Sequence, residues 1–214
     1  MLSIVVLISG SGSNLQAIMD RIAKDKLDAK IELVLSNRAD AYGLTRAADA
    51  GIETRVIDHK QFDSREQFDQ AMIKEIDPYQ PDLIVLAGFM RILSTAFVTH
   101  YTGRMINIHP ALLPAYKGLN THQRALEDGV SHHGASVHYV TAELDSGAVI
   151  LQGRVPVLAD DTEEALQQRV HKIEHVIYPE VVTWFAQKRL MYQNNQALLD
   201  GEVLSQPVII DQQD

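Results

Sequence analysis

The 214 residues are 46% hydrophobic and 22% charged, the balance of an ordinary soluble globule, and they suffice for one domain with a full core. Nineteen basic against twenty-eight acidic residues give a formal net charge of −9, spread along the chain, which argues against nucleic acid and membrane surfaces as partners. Cysteine is absent, which excludes a disulfide framework and thiolate metal sites and suits a cytoplasmic location.

The apolar start, Met1 to Ser9, lacks the basic region of a signal peptide, and no apolar run approaches membrane-spanning length. Ser3 to Ser9 is read as the first strand. It is followed by Ser9-Gly10-Ser11-Gly12-Ser13-Asn14 and a helix from Asn14 to about Lys24. Backbone N–H groups in such a turn can surround an anion at the positive end of a helix. Leu15 stands where a dinucleotide fingerprint needs a third glycine, and no Lys-Ser or Lys-Thr pair closes a Walker loop. What remains is a site for one phosphate, set against a plain tight turn of small residues.

Continuous apolar runs then alternate with amphipathic stretches, the pattern of buried parallel strands with crossover helices. Strands are predicted at Ile31 to Ser36, Thr54 to Ile57, Leu83 to Gly88 and Met105 to His109. Helices are predicted at Tyr42 to Ala50 with Gly51 as a left-handed cap, Ser64 to Ile76, and Ser94 to Tyr101. Gly88-Phe89-Met90-Arg91-Ile92-Leu93, leaving the fourth strand, is either a buried strand-to-helix turn or a wall for a flat heteroaromatic ligand. Taken by themselves, Arg65 and Arg91 read as solvated.

The fifth strand ends Asn107-Ile108-His109-Pro110. Side chains two apart on a strand share a face, and Pro110 stops the strand, so an amide and an imidazole meet at a carboxyl end, where open α/β sheets place ligands. The histidine is suited to general acid work and the amide to an oxygen that gains charge in a tetrahedral intermediate. Asp145, if it reaches the ring, would orient it and favour its protonated form. Each residue has a plain reading too, a turn cap for Asn107 and a satisfied core or surface ring for His109. His122, His132, His133 and His138 suggest a metal at first sight, but no H-E-x-x-H pairing or cysteine supports one, and no metal is expected. No G-x-S-x-G elbow for a serine nucleophile occurs.

In the second half, Gly134 to Val140 and Ala148 to Val157 read as strands of undecided direction, with Asp145-Ser146-Gly147 between them. A long helix is predicted to open at Asp161, with Glu164 in a capping-box-like position and Leu166, Val170, Ile173 and Ile177 on one face, and Pro179 should interrupt or kink it. A short hairpin is expected around Asp200-Gly201, and the polar tail Asp211 to Asp214 is expected to fray.

Five ordered segments resemble the folate-dependent formyltransferases, within them those acting in purine synthesis. They are Ile8 to Gln16, Leu86 to Leu93, Asn107 to Pro114, Leu144 to Gly147 and Glu174 to Pro179. The resemblance runs from the first strand to about Trp184. It implies an α/β fold, one domain with an open, mostly parallel twisted sheet flanked by helices. Residues 1–100 would form a Rossmann-like phosphate-binding half, 101–189 a catalytic and folate-binding half, and 190–214 a hairpin and tail.

The resemblance further implies Asn107, His109 and Asp145 as the catalytic trio, and Gly12, Ser13, Asn14 and Glu174 as contacts of the phosphate-bearing substrate. Folate contacts would come from Arg65, Met90, Arg91, Ile92, Leu93, Asn107, Val140, Thr141 and Asp145. The implied reaction moves the formyl group of 10-formyltetrahydrofolate to the amine of glycinamide ribonucleotide, without a metal, in a monomer or weak homodimer. Ser11 and Ala111 stand where the resemblance leads one to expect Asn and Ser, and Lys117 where Pro is common. Alternatives are a deformylase that passes the formyl group to water, and a folate- or nucleotide-binding module without catalysis. With the first strand beginning at residue 3, the extra leading domain of the deformylases is not expected. From the length and the acidic balance, the carboxyl-terminal RNA-binding domain of the methionyl-tRNA formyltransferases is not expected either.

Overall fold

The computed structural model describes residues 1–24 and 27–212. They gather into two compact units, Met1–Asn107 with Val140–Ala142, and Ile108–Tyr139 with the residues from Glu143 onward.

The first unit alternates strand and helix: β1 (Leu2–Ile8), α1 (Ser13–Ala23), β2 (Ala29–Ser36), α2 (Tyr42–Asp49), β3 (Thr54–Val56), α3 (Arg65–Ile76), β4 (Leu83–Leu86), α4 (Thr95–His100) and the start of β5 (Met105–His109). These strands lie in the order β3-β2-β1-β4-β5, all parallel. The order reverses at β1, the switch point at which such sheets offer a crevice beyond their carboxyl ends. Burial explains the unbroken apolar runs, for all of β4 and residues 4–8 of β1 are buried. Val5, Leu7, Ile84 and Leu86 pack with Phe68, Met72, Phe97 and Tyr101 from the helices into one core cluster. The left-handed cap is present: Gly51 has φ 72°, its N–H donates to Ala48 O, and the Ile52 N–H donates to Ala47 O.

The second unit holds α5 (Thr121–Glu127), β6 (His132–Tyr139), β7 (Val149–Pro156), α6 (Glu163–Ala186), β8 (Leu190–Gln193), β9 (Gln196–Leu199), β10 (Glu202–Val203) and β11 (Val208–Asp211). The open direction of its first two strands resolves as antiparallel, and β11 joins β7 in parallel. Parallel pairs thus predominate, with helices flanking the strands. Leu166, Val170, Ile173 and Ile177 are all buried as their spacing requires.

Gly134 of β6 sits so close to β7 that an added Cβ would lie 1.9 Å from Gly153 O. Backbone cannot yield as a side chain can, so Gly134→Ala is expected to cost about 3 kcal/mol, read as a lower urea midpoint at unchanged slope.

Three expectations need correction. The long helix opens at Glu163, not Asp161: Thr162 is its cap and accepts from the Ala165 N–H, because Asp161 is taken up by Arg169 at 2.6 Å and by the Leu158 N–H at 2.8 Å. Pro179 does not interrupt it, and α6 runs on to Ala186 with Thr183 Oγ1 donating to Pro179 O. The tail does not fray at Asp211, which closes β11 and holds Arg154 through two hydrogen bonds of 2.7 and 3.0 Å; Gln213 and Asp214 lie outside the described residues.

The hairpin at Asp200-Gly201 is present between β9 and β10, with both turn residues at positive φ. A second hairpin, β8 to β9, turns at Asn194-Asn195.

Candidate active site

β5 delivers Asn107 and His109 two residues apart, with Met105, Ile106 and Ile108 buried between and before them. His109 is itself buried, 5% exposed. Its Nε2 lies 2.9 Å from Tyr116 O, and a carbonyl can only accept, so that nitrogen carries a hydrogen. Its Nδ1 faces Asp145 Oδ2 at 3.5 Å. Each ring nitrogen therefore looks at an acceptor oxygen, and both can carry hydrogen.

The loop between β6 and β7 presents Asp145 in the left-handed region, φ 49°, a conformation that costs a non-glycine residue energy and persists where its surroundings hold it. Here they do. Asp145 Oδ2 accepts from the Gly118 N–H at 3.0 Å, and Oδ1 lies 3.8 Å from His138 Nε2. His138 Nδ1 donates to Tyr139 O at 2.8 Å, which leaves its other nitrogen turned towards the carboxylate. Burial holds the His138 ring below the ordinary histidine range, against the pull of that carbonyl and of Asp145.

The chain beyond β5 is pinned by a buried side-chain network. Ser136 Oγ donates to Ala111 O at 2.6 Å and accepts from the Leu113 N–H, and Gln152 Nε2 donates to both Leu113 O and Ser136 Oγ. Lys117, one of the departures from the family pattern, donates through Nζ to Ser146 Oγ beside Asp145. Tyr116 is tied to Asp128 at 2.9 Å and lies under Arg124. Sequence reasoning missed these supports. By residue type His138 suggests only a metal ligand, and its spacing two residues from Ser136 on β6 is the signal that sets it on the same face.

His122 and His133 meet edge to face in the same unit, ring centroids 5.2 Å apart. Burial, reinforced by neighbouring histidines, pushes both down to about 4. The unfolded chain then takes up protons that the folded chain refuses as pH falls from about 6.5 towards 4. Stability present above that window should be lost through it, by on the order of 3 kcal/mol for each ring. Urea midpoints measured between pH 7 and pH 5 should fall accordingly; a flat profile would contradict this.

In the first unit, Gly12 at φ 71° begins α1 without any side-chain cap, the arrangement in which backbone N–H groups serve an anion. The turn is braced by α2. Gly43 N–H donates to Gly10 O at 3.0 Å, Arg46 Nε donates to Ser11 O at 2.9 Å, and a Cβ on Gly12 would lie 2.6 Å from Gly43 Cα. Ser13 and Asn14 open the helix, with Asn14 buried.

The segment after β4 divides: Met90, Arg91 and Ile92 are exposed, while Leu93 joins the core cluster beside Phe89. Arg65 is about half exposed at the start of α3. Val140 packs on the same core and donates its N–H to Met105 O; Thr141 follows it, half-buried. Glu174 is buried on α6 in the second unit. Among the described residues no group of three or more His, Cys, Asp or Glu side chains is placed to hold a metal ion, and no helix is long and apolar enough to cross a membrane.

An open, mostly parallel α/β fold that carries a buried imidazole–carboxylate pair is one that group-transfer enzymes use, and the chain belongs to the formyl transferase family, whose sequence pattern it matches over residues 2–182. It is 57% identical over 203 residues to the phosphoribosylglycinamide formyltransferase of Escherichia coli (strain K12), across 95% of this chain and 96% of that one. The structure superposes on the phosphoribosylglycinamide formyltransferase of Coxiella burnetii with a TM-score of 0.94 and 58% identity, covering 98% and 99% of the two chains. On glycinamide ribonucleotide transformylase 1 of Symbiobacterium toebii the TM-score is 0.90 at 45% identity, covering 93% and 94%.

Proposed function

We propose that this chain transfers the formyl group of 10-formyltetrahydrofolate to the amine of glycinamide ribonucleotide, giving formylglycinamide ribonucleotide and tetrahydrofolate in de novo purine synthesis. The observation that carries the reading is the buried His109–Asp145 pair at 3.5 Å, in a chain of this family.

The amine attacks the formyl carbon, a new C–N bond forms, and the carbonyl oxygen takes the negative charge. Asn107 donates its amide N–H to that oxygen as the charge develops, where a fixed donor outperforms water because it needs no reorganisation. His109 supplies the proton that the departing folate nitrogen needs when the tetrahedral centre collapses, and the proton lost by the attacking amine restores the ring. Asp145 holds the imidazole in place and balances its charge.

Gly12, Ser13 and Asn14 bind the substrate phosphate with main-chain donors, which lets an acidic protein hold an anion, and Glu174 contacts the same substrate. The folate lies against Met90, Arg91 and Ile92, with Val140 and Thr141 bordering its ring system and Arg65 near its acidic tail. Leu93 supports that segment from the core.

Spectrophotometric release of tetrahydrofolate, followed with and without glycinamide ribonucleotide, tests the acceptor. Release is expected only when the amine is present; release that ignores the amine would mean that water is the acceptor and would overturn the proposal.

A further inference from the structure

Ser9, the first residue beyond β1, is 5% exposed, and its side chain has no role in the binding and chemistry described above. Its hydroxyl has two bonds. It donates to Asn37 Oδ1 at 2.6 Å and accepts from the Met90 N–H at 2.8 Å. Asn37, also buried, stands just past β2 and reaches on through Nδ2 to His59 Nδ1 at 3.2 Å, beyond β3. One side-chain oxygen thus ties together the chain leaving β4, β1 and β2 at the carboxyl ends of the parallel strands.

The two segments joined at this oxygen have different duties. The main chain of Ser9 leads directly into the turn Gly10 to Asn14, and Met90 opens the segment that carries Arg91 and Ile92. A hydroxyl has one hydrogen, spent here on Asn37, and a lone pair, spent on Met90, so neither neighbour can shift without leaving a buried polar atom short of a partner.

We propose that Ser9 is a positioning residue that couples the phosphate turn to the folate-binding segment, so that filling one site stiffens the other. The proposal rests on the function assigned above. Its physical basis is shared ordering: once the first ligand has fixed the turn and with it the Ser9 oxygen, the second ligand meets a Met90 segment that has less freedom left to lose.

Tetrahydrofolate, which has no formyl group to transfer, serves as the probe. Its dissociation constant is measured by titration calorimetry with and without saturating glycinamide ribonucleotide. Wild-type protein is expected to bind it about fivefold or more tightly in the presence of the ribonucleotide. Ser9→Ala should lose most of that factor, and Ser9→Thr, which keeps the hydroxyl, should retain it.

An unchanged factor in Ser9→Ala, or none in wild type, would overturn the coupling while leaving the assigned function standing. Wild-type protein that binds neither compound would overturn both. Should Ser9→Ala fail to fold, amide exchange in the wild type decides: the Met90 N–H should exchange more slowly when glycinamide ribonucleotide alone is bound, and an unaltered rate would sink the proposal.

Discussion

Replacing His109 with alanine should lower turnover by about 100- to 10,000-fold, the contribution of a positioned general acid. The ring sits with both nitrogens facing acceptors, Tyr116 O at 2.9 Å and Asp145 at 3.5 Å, so its removal takes the proton source and leaves the carboxylate with no ring to orient. Because His109 is buried, the variant should also lose some stability, on the order of 1–3 kcal/mol for the groups left without partners. Thermal unfolding alongside single-turnover rates separates the two effects. A folded variant that binds both substrates and turns over normally would remove His109 from the chemistry. A protein that only bound its ligands would keep its affinity and have no turnover to lose.

Asn107→Ala should cost about 100- to 1000-fold in turnover, the usual loss when one oxyanion donor is deleted. KM should change little, since the donor matters where charge has developed rather than in the ground state. Asn107→Asp is the sharper control: it keeps the shape but replaces a donor with a charged acceptor, and it should be at least as impaired. Near-wild-type turnover in either variant would take Asn107 out of the role.

The end of β5 was readable because it depends on short-range rules. Period-two spacing brings Asn107 and His109 to one face, and Pro110 sets the limit. Asp145 stands out in the sequence as a candidate carboxylate, but its contact with the ring stays open there, since no spacing rule links a carboxylate in the β6–β7 loop to an imidazole on β5; only the resemblance implies it. Tyr116 O and the Gly118 N–H, which hold His109 and Asp145, are main-chain groups that every residue possesses, so no residue type announces them.

Elsewhere, long-range competition overrode local signals. Asp161 has the chemistry of a helix cap, but Arg169, eight residues on, claims it, and the cap passes to Thr162. Val208 to Asp211 has no tight turn leading to its partner β7, which is remote in sequence, so no local signal announces the pairing. In the run Met90 to Leu93, composition leaves a buried turn and a ligand wall both open; only the fold separates the buried Leu93 from the exposed Met90 and Ile92.

The reaction proposed for this chain moves a formyl carbon from folate nitrogen to a ribonucleotide amine. Carbon NMR of a reaction run with 10-formyltetrahydrofolate labelled in its formyl carbon follows that atom directly. The label should appear in the amide of formylglycinamide ribonucleotide, and Asn107→Ala and His109→Ala should slow its arrival. Label that collects as free formate, or that stays on the folate while the amine is present, would rule out that transfer.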